Sequence, residues 1–138
     1  LTRVAASRIA LVEEPTSAPS DWGKIKQETG IRVGADEHLT DREQIDRLIE
    51  LEAAQTFVIK PSILGGPPAT RGIAALAATN DIEIVISSFL DGPIALRTAR
   101  DLALELAPEQ IHGLGTAPLF EEEFPQDVQP IDGHLHRL

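Results

Sequence analysis

The chain has 138 residues, a formal net charge of −10, no cysteine, and an aromatic content limited to four Phe and one Trp. The length holds one sizeable core. The charge opposes nucleic-acid backbones and anionic membranes, few aromatics exclude base-stacking platforms, and the lack of cysteine excludes disulfides and thiolate zinc sites. No apolar stretch approaches a membrane span and no signal-like start is visible, so a cytoplasmic protein without nucleic-acid or membrane partners is expected. The absence of methionine and the opening "LTRVAASRIALVEEP" suggest a piece of a longer polypeptide, or else a processed chain.

In chain order, "RIALVE" (8–13) reads as a first strand. A helix from Asp21 to Thr29 follows, with Ser20 as N-cap and Gly30 as its stop. "IRVGAD" (31–36) is the second strand. "TDREQIDRLIELEAA" (40–54) is the clearest helix, with Thr40 and Glu43 as a capping box and Ile45, Leu48 and Ile49 on the helical period. "TFVIK" (56–60) leads through a glycine turn to an alanine-rich helix containing "TRGIAALAAT". Strand "IEIVISS" (82–88), helix "PIALRTARDLALELA" (93–107) and a short last strand "QIHGLG" (110–115) complete the count at five strands and four helices. The tail from Glu121 to Leu138, with its acidic cluster Glu121, Glu122 and Glu123, reads as a closing segment.

Nearly continuous apolar strands alternating strictly with helices predict an α/β fold with parallel strands and right-handed crossovers. Periodicity alone leaves two architectures open: a doubly wound open sheet, or part of an eight-stranded barrel. In both, polar residues at the carboxyl ends of strands are site candidates. Those ends carry Glu13-Glu14-Pro15, Asp36-Glu37-His38, Lys60-Pro61, Ser87-Ser88 and the run His112 to Thr116. Carboxylates on adjacent strands offer oxygen-only ligands suited to a hard cation such as Mg²⁺. A lysine beside it could act as acid or base, or as a fixed positive charge. Singly, each has a plainer reading: an acid that caps the next helix, a solvated lysine, a serine pair that opens a turn. The pattern on consecutive strand ends is what points to a site.

The motifs "LVEEP" (11–15), "TGIRVGADE" (29–37), "VIKPSILGG" (58–66), "VISS" (85–88) and "HGLGTAPLF" (112–120) resemble, in this order, the second half of the barrel domain of the enolase superfamily. Within it they are most similar to the o-succinylbenzoate synthase family of menaquinone biosynthesis. The resemblance implies the C-terminal half of a TIM-type (β/α) barrel over residues 1–120, about strands 4 to 8, with 121–138 closing it. It also implies a Mg²⁺-dependent lyase that removes a proton alpha to a carboxylate, forms an enediolate and dehydrates it. Glu13 and Asp36 would be metal ligands, Glu14 would face away, and Glu37 would support the site from behind. Lys60 would be the catalytic lysine of the sixth strand. Ser87, Ser88, Gly113, Leu114, Gly115 and Thr116 would receive the small-molecule carboxylate substrate.

The superfamily takes its third metal ligand and its Lys-x-Lys base from earlier strands, and its capping domain from residues before the barrel. No such segment stands in this chain, so the 138 residues alone are expected to be inactive and to need the N-terminal half. An oligomer is compatible with the resemblance. Sister enzymes, such as an N-acylamino acid racemase or a muconate cycloisomerase, are the first alternative. Dipeptide epimerases fit less well, because "ISSF" stands where they carry Asp-x-Asp. A non-catalytic α/β binding module is the second alternative. His134 and His136 in "GHLHRL" have no third ligand nearby, and "GLGT" lacks the rest of a nucleotide-binding fingerprint.

Overall fold

The computed structural model describes residues 9–121 and 123–136. Arg8, at the start of the first expected strand, Glu122 of the acidic cluster, and Leu138 at the end of the tail lie outside the described residues. Eight elements alternate: β1 (Leu11–Glu13), α1 (Trp22–Thr29), β2 (Arg32–Ala35), α2 (Arg42–Glu50), β3 (Thr56–Ile59), α3 (Gly66–Ala78), β4 (Glu83–Ile86) and α4 (Pro93–Leu106). The strands follow one another in the hydrogen-bonded order β1-β2-β3-β4. β1 pairs parallel with β2, and β2 with β3, so each crossover carries a helix, as an α/β fold requires.

The chain divides into two compact units: residues 1–58 with 77–83, and residues 59–76 with 84–138. In the first, Trp22, Val33, Ala35 and Phe57 are fully buried, and Ile31, Leu39, Ile45 and Leu48 nearly so. The Arg32 guanidinium pairs with Glu83 at 2.8 Å and donates to Thr56 Oγ1 at 2.9 Å, tying strand starts together. In the second, Ile59, Ile86, Leu96, Leu102, Leu114 and Val128 form the core. The tail belongs to it: Val128 is buried, the Asp127 carboxylate pairs with Arg97, and the Asp127 carbonyl accepts from the buried Arg100 guanidinium.

Several expected boundaries move for identifiable reasons. Ser20 does not cap α1, because Pro19–Asp21 forms a 3-10 turn that runs into the helix; Gly30 ends it in the left-handed conformation (φ 70°), as expected. Asp41, not Thr40, caps α2, its carboxylate accepting from the Gln44 amide at 3.0 Å. That helix stops at Glu50 because Glu52 turns left-handed (φ 48°) and sends Ala53 and Ala54 into the core. α3 begins at Gly66, four residues before Thr70, since Pro67 and Pro68 sit in a first turn whose amides need no partner.

The fifth strand is absent. Residues 110–115 make only an isolated parallel bridge, Gly113 to Ser87. The Ile86 amide, which a fifth strand's carbonyl would accept from, donates instead to the His112 ring Nδ1 at 3.0 Å, and Ile111 points into solvent, 88% exposed. A side chain has replaced a rung of the ladder.

Candidate active site

In the first unit the site begins with register. Glu13 is the last residue of β1 and stands opposite Gly34 of β2. Partners across a parallel pair share a face, so Gly34 lies on the face of Glu13; Asp36 comes two residues later, in the bend just past the end of β2. Gly34 leaves that face open: a Cβ there would stand 3.3 Å from Glu13 Cγ. Two carboxylates thus emerge at the ends of adjacent strands, Glu13 exposed and Asp36 half-buried, with Glu37 exposed.

Glu14 does not face away. Its carboxylate turns to the loop after β2, where Oε1 accepts from the amides of Asp36 (2.9 Å) and His38 (3.0 Å), and Oε2 lies 2.5 Å from His38 Nδ1. Alternation along β1 suggested the opposite. It fails because Glu14 has left the strand, with φ at +43°. Burial pushes the Glu14 carboxyl up, but the His38 and Asp36 amides and the His38 ring prevail and hold it below its ordinary value of 4.5.

In the second unit Lys60 follows the last residue of β3. Its carbonyl accepts from the amides of Ile63 and Leu64 at 3.0 and 3.1 Å, so "PSILGG" is a tight strand-to-helix turn, with Gly65 and Gly66 both at positive φ. The Lys60 ammonium lies 5.9 Å from the centre of the Phe89 ring, within cation–π range. No spacing in the sequence marks Phe89, since the contact depends on how the loop after β4 returns.

Ser87, Ser88, Gly113 and Thr116 are brought together. The Gly113 carbonyl accepts from the Ser88 amide (3.0 Å) and from both serine hydroxyls (3.3 and 3.2 Å), and Ser88 Oγ lies 2.9 Å from Thr116 Oγ1. Ser88 is buried, whereas Ser87 is only half-buried. The Leu114 side chain, 2% exposed, is core, and Gly115 is exposed. His112 is structural: Nε2–H donates to the Ala107 carbonyl at 2.9 Å while Nδ1 accepts from Ile86, and burial holds its pKa below 6.5 despite the Ala107 bond.

The donor chemistry of Glu13 and Asp36 fits Mg²⁺, a hard cation that takes carboxylate oxygens. Among the described residues no group of three or more His, Cys, Asp or Glu side chains gathers to hold a metal. The only Lys-x-Lys in the chain, Lys24-Ile25-Lys26, lies on α1 with both lysines exposed, not on a strand end. Among the described residues no helix is long and apolar enough to cross a membrane.

A family model described as "Enolase C-terminal domain-like" matches residues 1–137. The chain belongs to this family. It is 34% identical over 131 residues to the o-succinylbenzoate synthase of Vibrio cholerae serotype O1, covering 91% of this chain and 40% of that protein. It is 32% identical over 126 residues to the o-succinylbenzoate synthase of Mycobacterium tuberculosis, covering 90% and 37%. The chain therefore spans about 40% of the length of the curated relatives it matches. The MenC structure from Desulfotalea psychrophila superposes with a TM-score of 0.75 at 23% identity, over 87% of this chain and 35% of that one. The parallel βα units are those of the superfamily's TIM-type barrel domain.

Proposed function

We propose that this enolase-family chain forms part of an o-succinylbenzoate synthase-like enzyme, a Mg²⁺-dependent lyase that dehydrates a hydroxy-cyclohexadiene carboxylate. The observation that supports this reading is the β1–β2 register, which sets Glu13 opposite Gly34, two residues before Asp36, so that the two acids stand at the ends of adjacent parallel strands. The identity of about a third to two synthases, over nine-tenths of this chain, supports the choice of reaction.

Glu13 and Asp36 would hold Mg²⁺. When bound, the cation supplies positive charge that stabilises the carboxylate of a substrate losing its alpha proton. The Lys60 ammonium adds a second fixed charge against the developing enediolate, and its backbone is held by the Ile63 and Leu64 amides. Ser87, Ser88 and the backbone from Gly113 to Thr116 receive the substrate's distal carboxylate or ring. The proton leaves to a base contributed from outside these elements; the electrons of the enediolate then expel the hydroxyl of the neighbouring carbon, which takes that proton back from the conjugate acid and departs as water. The acidic composition and the lack of cysteine suit a cytoplasmic enzyme.

Steady-state assays of the full-length protein test the reading against its nearest competitor. Dehydration of the cyclohexadiene substrate well ahead of any racemisation of an N-acylamino acid supports it. Racemisation as the faster reaction, with no dehydration, replaces it with the sister activity.

A further inference from the structure

Glu14 is an acid next to a proposed metal ligand, yet its oxygens are already engaged. Oε1 accepts from two amides and Oε2 from one side of the His38 ring contact, using three of the roughly four acceptor positions a carboxylate offers. Its side chain is 15% exposed. Most of the acceptor capacity of this carboxylate is thus spent on the loop after β2. What it grips is the backbone on either side of Glu37, including the amide of Asp36 itself.

The grip is anchored at both ends. On its own side, the Glu14 amide donates to the Gly34 carbonyl at 3.0 Å, prolonging the β1–β2 ladder past the point where φ becomes positive. On the far side, the His38 ring stands edge-on to the Trp22 ring at 5.3 Å and 87°. Trp22 is fully buried and its indole N–H donates to the Thr16 carbonyl at 2.9 Å, so the ring that faces His38 is itself fixed. The backbone strain at Glu14 is of the kind that persists only where surrounding bonds hold it.

We propose that Glu14 is a positioning residue: its carboxylate clamps the amides of Asp36 and His38 and thereby fixes the Asp36 carboxylate beside that of Glu13. This rests on the reading of Glu13 and Asp36 as the cation-binding pair. Partners of this sort, one step removed from the metal, commonly set affinity by 10–100-fold.

The test compares Glu14→Ala and Glu14→Gln in the full-length protein, using Mn²⁺ as the probe. Mn²⁺ affinity is followed by electron paramagnetic resonance, and amide hydrogen exchange is read at Asp36 and His38. Glu14→Ala is expected to speed exchange at both amides and weaken Mn²⁺ binding by about 10–100-fold. Glu14→Gln, whose carbonyl oxygen can still accept from both amides, is expected to restore slow exchange and most of the affinity. Exchange and affinity unchanged in Glu14→Ala would overturn the proposal, as would Glu14→Gln binding as poorly as Glu14→Ala. Should Glu14→Ala not fold, the glutamine variant and the unaltered protein decide: Asp36 and His38 amides that exchange as fast as exposed ones contradict the clamp. Asp36→Ala separates the two layers. Undiminished Mn²⁺ binding in that variant shows the cation-pair reading to be wrong, and the positioning role falls with it, even where exchange proves the clamp itself real.

Discussion

A Cβ placed on Gly113 would lie 2.6 Å from Ser87 Oγ and 3.2 Å from Ser87 Cβ. The isolated bridge between these residues thus exists in its present form only because position 113 has no side chain. Gly113→Ala must displace the Ser87 hydroxyl or open the bridge. The expected cost is modest, about 1 kcal/mol of stability, because Gly113 is exposed and the Ser87 hydroxyl can rotate while its Cβ must give slightly. Because Ser87 is proposed to meet the substrate, KM should rise as well. Urea unfolding and steady-state kinetics of Gly113→Ala check both; unchanged values in each would mean that the approach is softer than the geometry indicates.

The α2 cap offers a separate test. Asp41→Ala removes the acceptor of the Gln44 amide and should cost about 1 kcal/mol. Thr40→Ala, on an exposed neighbour that accepts nothing from the first turn, should stay within about 0.5 kcal/mol. Chemical denaturation of the two variants side by side measures the difference, and equal losses would return the capping role to Thr40.

His112 should make stability depend on pH. Its folded pKa lies below the ordinary 6.5, because burial disfavours the charged ring. The unfolded state then binds more protons than the folded one between these two values, so stability rises with pH there. Its contribution is fully present above about pH 6.5 and is lost as pH falls through that window toward the folded pKa. Protonation also puts a proton on the ring nitrogen that accepts from Ile86. Thermal melts between pH 5 and 8 should show a Tm decrease on the acid side that His112→Asn diminishes, with the ring's NMR titration placing its pKa below 6.5.

The 138 residues by themselves should not turn over substrate. Nine-tenths of this chain (91%) covers only 40% of a curated relative, and the single Lys-x-Lys lies on a helix rather than at a strand end. A turnover assay of the isolated chain in Mg²⁺ checks this. Activity close to that of the full-length protein would place the proton-abstracting base within these residues.

Much of this molecule is legible in its sequence. The β/α alternation, the parallel strands, and the placing of Glu13, Asp36, Lys60 and Ser87 at or just past strand ends follow from apolar runs and helical spacing. What escapes is tertiary in origin. Glu14 reads as turned away because alternation is a rule for strands, and a positive φ ends the strand one residue early. His112 reads as part of a strand because nothing local reveals that its ring, rather than a neighbouring carbonyl, accepts from Ile86. The partnership of Lys60 with Phe89 depends on a loop return 29 positions later, which carries no periodic signal.

The most direct test of the proposed function is the formation of o-succinylbenzoate by the full-length protein, with and without EDTA, and by its Lys60→Ala variant. The expected result is Mg²⁺-restorable activity that EDTA abolishes and that Lys60→Ala lowers by about 10²–10³ in kcat, the usual loss when one stabilising charge or donor is removed. Dehydration that survives EDTA, or that proceeds at full rate without Lys60, would contradict it.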